Sequence, residues 1–277
     1  MSSRGLVVLA DGAQAAFCAG VVAQLSASGR RWGEAAAAGL AAQVALLALA
    51  GEAEEAARRF LRLAQEGAAL FRPALAYARE GLNEGFLLLP DPFRLSGWLS
   101  PAALGEYLAP ETALAGKVKL WLCTEDLASG QRGWRELTHG GRLFEAAAFP
   151  WGFPPVSGLW GGVGACAELD FPPLSSPEVD VVCGFPWPAV ERPGLGNALL
   201  ATVQRREEIA AALTVTRWAG QRSGLQVFAP SQEQYAAFTK RDGALLGVEY
   251  PLPVEHNAEV VSLMVEFGRF VGAQQGG

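Results

Sequence analysis

The residues able to carry metal or nucleophilic chemistry are few: four cysteines and two histidines in 277 residues. Cys18, Cys123, Cys166 and Cys183 stand far apart with no C-x-x-C spacing, and His139 and His256 lie in polar, turn-like contexts. Zinc sites gather closely spaced ligands, so this spacing argues against a metal and for buried free thiols, and no cofactor is expected. The two histidines read as surface or capping residues. Cys166, in Gly164-Ala-Cys-Ala-Glu168, could act as a nucleophile beside Glu168. No histidine is near it in sequence to accept its proton, so an inert thiol is the stronger reading. Ser26 and Ser28 close a helix and Ser157 lies in an aromatic loop; none sits in a G-x-S-x-G frame. Asp126 follows a strand and reads as an Asx-type turn.

These groups must be positioned by an apolar chain. About half of the residues, 51%, are hydrophobic, enough for one sizeable domain over residues 1–277 with a large core. The net charge of -6 comes from dispersed carboxylates, and Lys117, Lys119 and Lys240 are the only lysines, which argues against a nucleic-acid partner. Met1-Ser-Ser-Arg-Gly leads directly into Leu6–Leu9 with no long apolar export segment, so a cytoplasmic location is expected. Ala35–Ala50 is mostly alanine and is interrupted by Gln43, short of what a membrane span requires. Arginine greatly outnumbers lysine and Asn and Met are scarce, which fits either a GC-rich genome or adaptation to heat.

Leu6–Leu9 reads as a strand buried on both faces, followed by the turn Asp11-Gly12 and a helix over Ala15–Ala27. From propensity alone, Glu34–Ala50 is one alanine-rich helix. Glu52–Arg79 is helical with a solvated charged face, Pro90-Asp-Pro92 breaks the chain, and Ser100–Tyr107 reads as a short capped helix. Val118–Cys123 is a strand ended by Thr124-Glu-Asp126 and a turn at Ser129-Gly130. Phe149–Pro173 is a long Gly, Pro and aromatic loop. Strands over Val179–Cys183 and Leu225–Ala229 and helices over Ala198–Trp218 and Ala258–Val271 complete the chain. The alternation predicts an α/β fold of three layers, with a mostly parallel central sheet flanked by helices.

Four short signatures in order give this pattern a family likeness. They are Leu9-Ala-Asp-Gly-Ala-Gln-Ala-Ala-Phe-Cys-Ala-Gly-Val21, Gly39-Leu-Ala-Ala-Gln43, Thr124-Glu-Asp-Leu-Ala-Ser-Gly130, and Leu143–Pro155 running into Phe153-Pro-Pro155. Together they resemble the bacterial patatin-like phospholipases, a family of patatin-type acyl hydrolases, over about residues 4 to 271. The resemblance makes Ala35–Ala38 a strand, against their helix propensity. It also implies an oxyanion loop after the first strand, a nucleophile elbow of the form G-x-S-x-G, and an aspartate that activates the serine.

On that alignment each catalytic part is missing. Ala41 occupies the nucleophile position, and Trp160 or Gly164 the aspartate position. The oxyanion loop, Asp11, Gly12, Ala13, Gln14 and Ala15, lacks its basic residue and two glycines, and a carboxylate at Asp11 opposes developing negative charge. The resemblance therefore implies a pseudoenzyme with a binding or regulatory role in lipid chemistry, its occupant a fatty acyl ligand or a protein partner. The alternative is an acyl hydrolase using Cys166 or Ser157. Leu40, Trp151, Phe153 and Trp160 are expected to line an apolar pocket beside Ala41. The aromatics Trp151, Phe153, Trp160, Phe171, Phe185 and Trp187 suit either an acyl pocket or a loop packed on the sheet. The sequence leaves the oligomeric state open.

Overall fold

The computed structural model describes residues 4–10, 14–62, 118–137, 158–188, 199–234 and 258–276. The chain opens with β1 (Arg4–Leu9), α1 (Gln14–Ala27), β2 (Trp32–Ala38) and α2 (Ala41–Leu49), followed by a helical run over residues 53–62. It continues with β3 (Leu120–Asp126), β4 (Arg132–Glu136), β5 (Leu159–Gly161) and a 3₁₀ turn over Val163–Cys166. β6 (Val179–Cys183), α3 (Leu199–Gln221), β7 (Leu225–Phe228) and α4 (Ala258–Gly276) complete the described elements.

The fold is α/β, and its sheet runs in the order β4-β3-β2-β1-β6-β7. β1 pairs in parallel with β2 and β6, β2 with β3, and β6 with β7. β4 and β5 pair antiparallel with β3, β5 at Thr124–Asp126, beyond the β2 pairing at Leu120–Leu122. β5 therefore sits in line with β2, just past its carboxyl end. Neither β4 nor β5 is marked by alternation in the sequence. Both are short, and their pairing depends on β3 as a template.

β2 corrects the single-helix expectation for Glu34–Ala50: its alanines extend along both edges between β1 and β3. Side chains alternate between faces, and Ala35 and Ala37 join one core layer while Ala36 and Ala38 join the other. Strand propensities differ by only about 1 kcal/mol per residue, less than two continuous hydrogen-bonded edges and burial on both faces contribute. The small methyl groups also let both helical layers approach the sheet.

One face carries α1, α2 and α4 over Leu6, Val8, Leu120 and Leu122; the other carries α3 and the 3₁₀ turn over Val7, Leu9, Val181 and Cys183. α1 and α4 pack backbone to backbone. A Cβ on Gly20 would stand 2.1 Å from the Val265 carbonyl oxygen, and one on Gly268 2.1 Å from that of Phe17. Among the described residues no helix is long and apolar enough to cross a membrane. Ser100–Tyr107 and Pro90-Asp-Pro92 lie outside the described residues, as does the part of Glu52–Arg79 beyond Arg62.

Candidate functional site

In open α/β sheets, ligands sit at the carboxyl ends of the strands where the chain reverses the direction in which it adds strands. Here the reversal falls between β1 and β6, because β2 and β3 follow on one side of β1 and β7 on the other side of β6. The loops after β1, β2 and β6 thus converge on one end of the sheet.

After β2 the chain turns at Gly39, whose φ of +69° is one that L side chains rarely adopt, and enters α2 through Leu40 in right-handed helical geometry. Ala41 is the first residue of α2 and is fully buried, as is Ala42. A nucleophile elbow holds its nucleophile on the strained turn itself. In this chain the left-handed residue is Gly39, and Ala41 is helical. The first amides of α2 are also occupied: Ala41 N–H donates to the Ala10 oxygen at 3.2 Å, Ala42 N–H to Gly39 at 3.0 Å and Gln43 N–H to Leu40 at 3.2 Å. Free N–H groups at such a helix start would attract an anion.

The loop after β6 closes the same end. Gly184 N–H donates to the Leu9 oxygen at 2.9 Å, and a Cβ on Gly184 would lie 2.7 Å from the Cβ atoms of both Ala10 and Gln14. Gln14 is buried at the start of α1, and its Nε2 donates to Glu208 Oε1 of α3 at 2.6 Å. Of the oxyanion-loop residues, Gln14 and Ala15 open α1, while Asp11, Gly12 and Ala13 lie outside the described residues.

The two aspartate positions fall on adjacent elements. Trp160 lies in β5, its backbone in register with Glu125 of β3. Gly164 lies in the 3₁₀ turn, against the Glu207 side chain of α3. Burial pushes the Glu207 carboxyl above its ordinary range; Arg132 opposes that shift and Glu125 adds to it. Glu207 and Glu208 had no place among the sequence candidates, since the helix over Ala198–Trp218 was read without assigning its carboxylates a role. The signal was there at helical spacing: Glu208, Ala211, Ala212 and Val215 share one buried stripe.

Cys166 is fully buried in the 3₁₀ turn, and the other three thiols are buried and free. Burial pushes the Cys18 thiol up, with Cys183 nearby adding to it, and burial raises Cys183 as well. Thiols held in that protonated range do not act as nucleophiles. His139, His256, Ser157, Trp151 and Phe153 lie outside the described residues. Phe185 is fully buried in the core, and Phe171 packs on α3, meeting Trp218 edge-on at 5.6 Å with the Arg222 guanidinium over its ring. Trp187 Nε1 donates to Thr216 Oγ1 of α3. Asp126 forms the expected turn, accepting from the Ala128 and Ser129 amides at 3.0 and 2.9 Å. Among the described residues no group of three His, Cys, Asp or Glu is placed to hold a metal.

The ion pairs with buried carboxylates lie at the opposite end of the sheet. Fully buried Asp180 accepts from Arg4 at 2.9 Å, from Arg30 at 2.7 Å and from the Trp32 indole at 2.9 Å. Glu34 accepts from Lys119 at 2.6 Å, from the Ser175 hydroxyl at 3.1 Å and from the Ser176 amide. Burial alone would raise Glu34, but Lys119, Ser176 and Ser175 together bring it down to about 2. A cleft of about 610 Å³ lies at the far end of α1, between Ser26, Arg31, Glu52, Glu55 and Arg58, away from Ala41.

No protein-family model matches the chain, and no curated protein does.

Proposed function

We propose that the chain is a non-catalytic member of the patatin-like acyl hydrolases, retained as a binding protein for a fatty acyl ligand or a protein partner. The observation that carries this reading is the state of position 41. A fully buried methyl group stands where the family would present a nucleophile, and its amide is bonded to Ala10. Removing a catalytic nucleophile of this type costs about a millionfold in turnover, and the aligned aspartate positions offer no replacement base. The strand-turn-helix at Ala38–Ala41 and the order of the four signatures support the family assignment. The hydrolase alternative gains nothing from Cys166, a fully buried thiol.

Two measurements test the reading. Short-chain and long-chain acyl esters should turn over no faster than with heat-denatured protein, and a turnover abolished by Cys166→Ala would overturn the non-catalytic assignment. For the ligand, the melting temperature should rise with fatty-acid concentration and with chain length, since each buried CH₂ contributes about 0.8 kcal/mol. Absence of any shift from C8 to C18 would discard the acyl ligand and leave the protein partner.

A further inference from the structure

The sheet ends at β7 on one side and at β4 on the other. At the β7 edge, the Gln226 side chain is held by Arg30 and by the Gln275 oxygen of α4. The β4 edge is open among the described residues. Arg132 and Glu136 are exposed, and a Cβ on Gly133 would meet nothing within 4 Å.

The register of β4 on β3 decides which of its backbone groups face outward. Leu137 N–H donates to the Leu120 oxygen at 2.8 Å, and Asp126 N–H to the Gln131 oxygen at 2.9 Å. In an antiparallel pair alternate residues exchange both bonds with the facing strand, so Gln131, Gly133, Arg135 and Leu137 turn their N–H and C=O groups toward β3. Arg132, Trp134 and Glu136 turn theirs away, and among the described residues nothing bonds to them. Such an edge is a template for another strand. Charged side chains ordinarily keep other strands off an edge, but the charges here are self-complementary. Arg132 and Glu136 stand two residues to either side of Trp134, on the same face of the strand. Arg132 pairs with Glu125 of β3 at 2.9 Å, whereas Glu136 has no ion-pair partner among the described residues.

We propose that β4 is the interface of a symmetric dimer, in which two copies of the chain pair β4 with β4, antiparallel and centred on Trp134. That register sets Trp134 against the partner's Trp134, and Arg132 against the partner's Glu136. Three outward N–H and three outward C=O groups on each strand close six bonds and leave none open. Each Arg132 then lies between its own Glu125 and the partner's Glu136, and the partly buried Trp134 rings meet at the two-fold axis. A slip of two residues sets Trp134 against a charge and loses two of the six bonds, so the side chains select one register. The contact is short, and the dimer is expected to dissociate on dilution. The pairing concerns the sheet edge alone and holds whether or not an acyl ligand binds at the carboxyl ends of the strands.

Sedimentation equilibrium of the full chain from about 1 to about 100 μM, the range of weak reversible association, tests the pairing. The mass should rise from 29.2 kDa toward twice that value, and a monomer throughout overturns the proposal. Glu136→Arg sets arginine against arginine at both ends of the paired strands and should weaken the dimer at least about tenfold; Arg132→Glu should do the same with carboxylates. Both substitutions are at exposed side chains and leave the backbone bonds to β3 in place. Mixed in equal amounts, the two variants complement each other at both ends, and native mass spectrometry should show a mixed dimer tighter than either variant forms alone. Glu136→Pro removes an outward N–H that has no bond inside the chain and should leave monomers. A dimer that persists in Glu136→Pro, or charge variants that stay apart when mixed, overturns the pairing.

Discussion

The two ends of the central sheet are built from opposite materials. At the amino end, Asp180 and Glu34 are buried carboxylates, Asp180 held by Arg4, Arg30 and the Trp32 indole, and Glu34 by Lys119 and the adjacent Ser175 and Ser176. At the carboxyl end, where such sheets place their chemistry, the chain offers Ala10, Ala38, Leu40 and Ala41, and the buried Glu208 meets a neutral amide. The amino-end groups are fixed by partners that use up their lone pairs, which stabilises the fold but leaves nothing to react. At the carboxyl end the amides of Ala41, Ala42, Gln43 and Gly184, among the described residues, are spent on the chain's own carbonyls. The charges at the amino end serve the fold, and Ala41 at the carboxyl end is part of the core.

The sharpest test of this contrast is Asp180→Ala. It leaves the Arg4 and Arg30 guanidinium groups and the Trp32 indole without their acceptor, and breaking a buried pair in this way costs about 3–5 kcal/mol. Chemical denaturation should show a loss of that order. A loss under about 1 kcal/mol would mean that the network is ornamental and the contrast false.

Glu34→Gln should cost about 1–3 kcal/mol at pH 7, since it keeps the shape but removes charge from three hydrogen bonds. The sign of the pH dependence follows from a folded carboxyl held at about 2 against an ordinary 4.5. Its contribution is complete above 4.5 and is lost as the pH falls through 2. The gap in melting temperature between variant and wild type should therefore close on going from pH 7 to pH 2; a constant gap would assign the effect to packing.

At the other end, Ala41→Ser should lose about 1–2 kcal/mol, because a hydroxyl enters a fully buried site. It should gain no esterase activity, since positions 160 and 164 carry no aspartate to take its proton, and acylation by a fluorophosphonate probe would break the contrast from the catalytic side. The smallest effect is expected for Cys166→Ala, about 1 kcal/mol from a lost sulfur and no change in ester turnover, read by thermal melting and by the same assay.

The candidate site was legible where it concerned identity and opaque where it concerned surroundings. That position 41 carries no nucleophile, that positions 160 and 164 carry no aspartate, and that the cysteines lack metal spacing are facts of residue type. Buried strands such as Leu6–Leu9 and Val179–Cys183 were legible too, because β-branched and leucine runs bounded by turns have few other uses. The 3₁₀ turn and β5 were hidden in a stretch read as loop, since three residues of strand leave no period to detect.

What the sequence determined by itself is local: which residues are present, the strongly apolar strands, the helices read over Ala198–Trp218 and Ala258–Val271, and the absence of a serine at position 41. What only the tertiary structure decided depends on partners far away along the chain. Ala35–Ala38 became a strand because β1 and β3 offered two edges, outweighing a propensity of a few tenths of a kcal/mol per residue. Asp180 became a buried anchor because Arg4, 176 residues away, reaches it. Gln14 met Glu208 across 194 residues, and Glu207 came to lie against Gly164, contacts no local pattern encodes because each residue type alone is ordinary at its place. Short-range preferences are weak and additive, whereas burial and hydrogen bonding reward the one arrangement that satisfies all these groups together.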